Sequence, residues 1–217
     1  IIFHEQKDYL RFLVLILYFQ SSVKIDHISR EIAEFSKASG QHRGQHRVLA
    51  KYHEVTKKRA IELIAFSIMP NHFHLILREL KEGGISSYLQ RVLNAYGKYY
   101  NTKYQKTGHV FQGPYRLIHI KDDTQLLYLS SYIHRNAREL SKWRNMEENY
   151  PWSSLQDFIK NNRFGDLIMP SIILEQFRSR EKYKDFVKTS TAKQLKDELG
   201  DVPTLNWLTP GVSQKDS

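Results

Sequence analysis

The chain contains no cysteine, which removes disulfide cross-links and cysteine-based zinc sites from consideration. It also lacks any apolar run of the roughly 18 residues that a membrane-spanning helix needs. The nearest approach, Phe12 to Phe19, is short, follows a charged segment and precedes no small-residue cleavage site, so it reads as a core helix and not as a secretory leader. A cytoplasmic location is the matching expectation. Acidic residues are scarce in one region. Residues 81–121 hold seven basic side chains (Lys81, Arg91, Lys98, Lys103, Lys106, Arg116, Lys121) against Glu82 alone, a balance of +6 within a chain whose net charge is +10. Such a patch suits a polyanion, whose counterions are released on binding. A solvated basic face has the same composition.

What is present is ordinary for a globular protein: 217 residues, 41% hydrophobic and 26% charged, enough for one core and an appendage. Tyr9, Phe12, Leu13, Ile16 and Leu17 have helical spacing and predict a helix over 5–20. Residues 27–38 form a weaker amphipathic candidate, and 39–59 are polar, basic and loop-like, which marks about 21–59 as an insertion. The apolar run IELIAFSI (61–68), the turn Met69-Pro70-Asn71 and the alternating HFHLILR (72–78) predict an antiparallel hairpin. A helix over 87–104, a glycine-containing loop at 106–113, a short strand over 116–121 and a helix over 124–140 follow. Tyr150 to Ser154 form a closing turn, and the remainder is helical by pattern. The fold class is therefore α+β, with helices packed on an antiparallel sheet. The division is a main domain over 1–157 and a helical C-terminal appendage over 158–217.

His72 and His74 lie at i and i+2 of a strand, which aims both imidazoles at one side of the sheet. That spacing can chelate a metal, and it equally suits two half-buried packed histidines. On the helix over 124–140, Leu126, Leu129, Ser130, Ile133, Ala137 and Leu140 form the core stripe. Tyr132 and Asn136, one turn apart, stack on its flank. Asn136 offers a neutral oxygen for Mg²⁺ or Mn²⁺. Tyr132 offers a phenol, a poor nucleophile at its unperturbed pKa of about 10 unless a cation or base assists. Tyr128 is a rival nucleophile nearer to solvent.

Met69-Pro70-Asn71-His72-Phe73-His74-Leu75-Ile76-Leu77 resembles the His-hydrophobic-His signature of single-tyrosine (HUH) transposases, the insertion-sequence enzymes and their REP-associated relatives. Three more stretches agree in order and spacing. These are Gly108 to Arg116 (GHVFQGPYR), Leu127 to Asn136 (LYLSSYIHRN) and Tyr150 to Ser154 (YPWSS). The resemblance covers about residues 61–155. It implies a ferredoxin-like antiparallel sheet with helices on one face. It also implies a homodimer and a Mg²⁺- or Mn²⁺-dependent enzyme of DNA transposition. Such an enzyme cleaves and transfers single-stranded or hairpin DNA through a 5′-phosphotyrosine, with Tyr132 as nucleophile and His72, His74 and Asn136 as metal ligands. The family's usual first strand precedes the first helix, so a sheet lacking that strand is expected for a sequence opening at Ile1. Arg91, Lys98, Lys103 and Arg116 are candidates for tracking phosphates. Phe111 is a candidate for stacking on bases, and Gln112 falls within the resembling glycine loop. A relative that binds hairpin DNA without turnover is the alternative, and a replication initiator or relaxase is a third reading.

Overall fold

The computed structural model describes residues 1–23, 28–30, 32–33, 49–111 and 115–190. Helix α1 (Gln6–Tyr18) begins where the backbone N–H groups of His4 and Glu5 donate to the Asp8 carboxylate at 2.9 and 3.1 Å. Every residue from Phe12 to Tyr18 is buried, so its C-terminal half runs through the interior. Helix α2 (Leu49–Lys57) lies within the stretch expected to be a loop. Its sequence is basic, but Tyr52 and Val55, one turn apart, are buried against the core, and that contact overrides the polar composition. The candidate helix at 27–38 and the loop at 39–48 lie largely outside the described residues.

Strands β1 (Ile61–Ile68) and β2 (Phe73–Glu79) form the expected hairpin, with Ser67 opposite His74, Ile68 opposite Phe73 and a bulge between Leu63 and Ala65. The turn closes through Met69 N–H to the His72 carbonyl, 2.8 Å, and is clasped from outside by Ile2 and Phe3, whose N–H groups both donate to the Pro70 carbonyl. Helix α3 (Gly84–Tyr104) follows a left-handed Gly83 (φ 71°). A Cβ on Gly84 would stand 2.7 Å from the Ala60 carbonyl oxygen, so only glycine lets α3 start this close to the hairpin. Helix α4 (Asp123–Arg135) is capped by Asp122, which accepts from Gln125 N at 2.8 Å, and continues as a short 3-10 turn, Asn136–Glu139. Three further helices close the described chain: α5 (Leu155–Ile159), α6 (Ser171–Leu174) and α7 (Arg180–Thr189).

The α+β class holds: a two-stranded antiparallel sheet with helices packed on it. The helices, expected on one face, lie on both. On one side α1 and α3 pack Phe12, Tyr88, Val92 and Tyr96 against Phe66, Ile68 and Phe73. On the other, α4 and α7 pack Leu126, Leu129, Ile133, Tyr183 and Val187 against Ile64, Ala65 and Ile76. All eight residues of β1 are buried, as a continuous apolar run requires when both faces are covered. Residues 158–190 thus supply part of this second core.

One expectation fails within the sheet. Residues 116–121 form no strand; Leu117 and Ile118 are 62% and 39% exposed, and alternation of apolar residues makes no strand without a partner edge. The edge of β1 away from β2 is filled, among the described residues, by groups that belong to no strand. Leu63 N–H donates to the Gln20 side chain and its carbonyl accepts from Met169 N. Phe66 N–H donates to Ser154 Oγ at 2.9 Å and its carbonyl accepts from Ser154 N at 3.0 Å. Ile68 N–H donates to the Trp152 carbonyl, and its own carbonyl accepts from the Tyr150 hydroxyl. Irregular chain and side chains do here what a strand would do.

Candidate metal centre and nucleophile

His72 sits in the hairpin turn, 7% exposed, and His74 one residue into β2 on the face covered by α4. Their ring centroids are 5.0 Å apart with the planes at 76°. Asn71 Oδ1 lies 2.8 Å from His72 Nδ1 and can only accept, which puts the ring proton on Nδ1 and leaves Nε2 with a bare lone pair. Burial lowers the His72 pKa, opposed by the nearby Asn136 side chain. Burial, and then the proximity of His72, push His74 down to about 3. Both imidazoles are neutral at pH 7, the form that ligates metals.

Asn136, 3% exposed, ends α4. Its amide nitrogen donates to the carbonyls of Tyr132, 3.0 Å, and Ile133, 3.5 Å. The side chain is thereby anchored by its donor end and presents Oδ1. Among the described residues, His72 Nε2, His74 Nε2 and Asn136 Oδ1 are all buried without a hydrogen-bond partner. An unsatisfied buried polar atom costs roughly 1–3 kcal/mol, so three in one place form an unstable wall unless something binds them. Two imidazole nitrogens and an amide oxygen suit a divalent cation of the Mg²⁺ or Mn²⁺ type. No group of three or more His, Cys, Asp or Glu side chains suited to a metal occurs among the described residues, and the Asn136 side chain lies beside His72.

The Tyr132 ring packs edge-on to His74, centroids 5.5 Å apart at 77°, within the same chain. Burial, together with the Glu139 carboxylate, raises its pKa. The rival Tyr128 instead packs against Phe186 of α7, centroids 5.4 Å apart. Ser67 was not singled out by sequence reasoning. Cross-strand partners share a face, so its hydroxyl lies on the His74 side, fully buried and also unpartnered. The hairpin register is the signal that would have found it.

The candidate DNA contacts are scattered. Lys98 and Arg116 are exposed and carry no ion pair among the described residues. The Arg91 guanidinium lies 4.9 Å over the Phe19 ring and donates to the Phe19 carbonyl at 3.4 Å. Lys103 is ion-paired to Glu5, 2.8 Å, and to the buried Asp8, so its charge is already neutralised. Phe111 packs in the aromatic core, 5.9 Å from both Phe73 and Tyr96. Gln112 lies outside the described residues. No helix among the described residues is long and apolar enough to cross a membrane.

Residues 36–136 match the family model described as "Transposase IS200 like". The matched stretch takes in the hairpin and Tyr132 and ends on Asn136. No curated protein and no solved structure matches the chain.

Proposed function

We propose that this chain, whose residues 36–136 match the IS200-like transposase model, cleaves and rejoins single-stranded or hairpin DNA with Tyr132 as nucleophile and His72, His74 and Asn136 as holders of a divalent cation. The match to that family supports transposase activity on DNA. The observation that supports it is the set of three unpartnered buried donor atoms beside the Tyr132 ring.

When bound, Mg²⁺ or Mn²⁺ supplies Lewis acidity to a scissile phosphate and favours ionisation of a nearby phenol. Tyr132 needs such help, because burial and Glu139 hold its proton on at neutral pH. His72 and His74 present lone pairs because burial keeps them neutral. Asn136 ties a ligand to the same helix as the nucleophile, so one rigid element sets both. In the transfer step the Tyr132 Oη–P bond forms as the P–O3′ bond breaks. The phenol proton is lost and the 3′ oxygen takes one up. The products are a 5′-phosphotyrosine and a free 3′-hydroxyl, and attack by another 3′-hydroxyl rejoins strands without ATP.

The test is incubation with Mn²⁺ and hairpin DNA, followed by a denaturing gel. A covalent protein–DNA adduct is expected for the parent chain and none for Tyr132→Phe; an adduct on that variant would overturn the nucleophile assignment. His72→Ala should abolish cleavage and spare DNA affinity. The raised Tyr132 pKa also favours a second reading, a hairpin-binding relative without turnover, and binding with no adduct on any DNA flank would select it.

A further inference from the structure

The buried polar relay at the back of the tyrosine helix is not needed to hold a cation and touches none of the proposed ligands. His134, two residues beyond Tyr132 on α4, is fully buried. Its Nδ1 lies 2.6 Å from the Tyr183 hydroxyl of α7, and its Nε2 lies 2.8 Å from Ser154 Oγ. Ser154 in turn accepts from the Phe66 N–H on β1, and the Tyr183 hydroxyl reaches Ser130 Oγ at 3.1 Å, one turn back on α4. Ser130 closes the run on the Leu127 carbonyl at 2.7 Å. With Ser154 donating to His134 Nε2 and His134 Nδ1–H donating to the Tyr183 hydroxyl, Tyr183 is free to donate to Ser130 and Ser130 to Leu127, so both nitrogens of a neutral imidazole are satisfied and the relay is complete.

From this we infer that His134, Ser154 and Tyr183 are positioning residues for the nucleophile, and that α7 is a working part of the cleavage site. The inference rests on the proposed role of Tyr132. Apart from the relay, α4 meets the sheet through Leu126, Leu129, Ile133 and the ring of Tyr132 itself. Apolar contacts are non-directional and allow a helix to turn or slide by fractions of an ångström. Hydrogen bonds to two different elements do not. Phe66 is the neighbour of Ser67, which pairs with His74, so the bond from Ser154 to β1 refers α4 to the strand pair carrying the ligand. Tyr132 sits on the helix flank, where a small rotation moves its hydroxyl furthest. A misplacement of about 1 Å at a reacting atom costs up to a hundredfold in rate.

Tyr183→Phe removes one oxygen and keeps the ring packed against Phe158 and Phe177. Two readouts apply to the full chain. The first is single-turnover cleavage of hairpin DNA with Mn²⁺, against the DNA dissociation constant. The second, on metal-free and DNA-free protein, is the NMR cross-relaxation between the Tyr132 and His74 ring protons. Tyr183→Phe and Ser154→Ala are each expected to slow cleavage on the order of tenfold or more at unchanged DNA affinity and to weaken the ring-to-ring signal. Their combination should fall short of the product of the single effects, because they break one relay. His134→Gln, which keeps a donor and an acceptor, should recover part of what His134→Ala loses. Unchanged rate and unchanged ring signal in Tyr183→Phe would overturn the positioning role. If the parent chain forms no adduct, the cleavage reading fails, and the ring signal alone still decides whether the relay holds Tyr132 against His74.

Discussion

The two faces of the hairpin are built on opposite terms. The face under α1 and α3 is aromatic and satisfied. Phe3, Phe12, Phe73, Tyr96 and Phe111 meet ring to ring, and the hydroxyls of Tyr88 and Tyr96 reach the backbone carbonyls of Ile16 and Ile2. Even its buried charge is answered. Burial alone would raise the Asp8 pKa, but hydrogen bonds from Lys103, Tyr104, His4 and Tyr99 outweigh it and hold it at about 2. The face under α4 leaves His72, His74, Asn136 and Ser67 with buried atoms that nothing among the described residues satisfies. One face stabilises the hairpin, and the other gives up stability in a way that only a bound group restores.

The largest separation of the two faces should come from deleting core bulk. Phe12→Ala is expected to lower unfolding free energy by about 3–5 kcal/mol in urea denaturation, with adduct formation per folded molecule retained. Loss of cleavage without loss of stability would show that the aromatic face also sets the site.

Acid should attack the faces in different windows. His74 and His134, held near pKa 3 by burial, refuse protons that the unfolded chain takes up below about 6.5. Their contribution is fully present above pH 6.5 and is lost as pH falls from there towards 3, by on the order of 1 kcal/mol per pH unit for each. Asp8 stays ionised down to about 2, whereas its ordinary value is 3.8, so its contribution is lost only between about pH 4 and 2. Urea midpoints at pH 7, 5 and 3.5 read this directly. His134→Gln should flatten the slope between 7 and 5, whereas Asp8→Asn should leave that slope alone.

A smaller effect of opposite sign is expected from His74→Leu: a gain of roughly 1–3 kcal/mol in metal-free stability, with loss of the rise in Tm that Mn²⁺ is expected to give the parent chain. Destabilisation by this change would mean that His74 is an ordinary packed histidine. The smallest effect should be that of Ser67→Ala, a gain of up to about 1 kcal/mol together with a reduced Mn²⁺ response. An unaltered Mn²⁺ response would remove Ser67 from the site.

The parts of this arrangement that are legible in the sequence are local ones. The hairpin, α3 and α4 follow from periodicity and punctuation. The juxtaposition of Tyr132 with Asn136 follows from one helical turn, and that of His72 with His74 from the strand period. What is not legible depends on distant partners. Lys103 reads as a free cation because Asp8, which neutralises it, lies 95 residues away. Phe111 reads as exposed in a glycine loop, yet Phe12 and Phe73 enclose it. The run 116–121 has a strand's alternation but no edge to join. The Ser154–His134–Tyr183 relay joins three segments that no spacing relates.

The irregular plugs along the outer edge of β1 also act on register. A shift of β1 by one residue against these plugs, carrying β2 with it, would send His74 and Ser67 into the aromatic layer and bring Phe73 and Leu75 under α4, exchanging the two faces wholesale. A two-stranded ribbon by itself resists such slippage poorly. Here Gln20, Tyr150 and Ser154 each engage one particular residue of β1, at Leu63, Ile68 and Phe66. A strand partner repeats every two residues and tolerates a shift, whereas three unrelated side chains do not repeat at all. The edge therefore indexes the hairpin, and the side of the sheet on which the histidines emerge is decided by groups that never touch them.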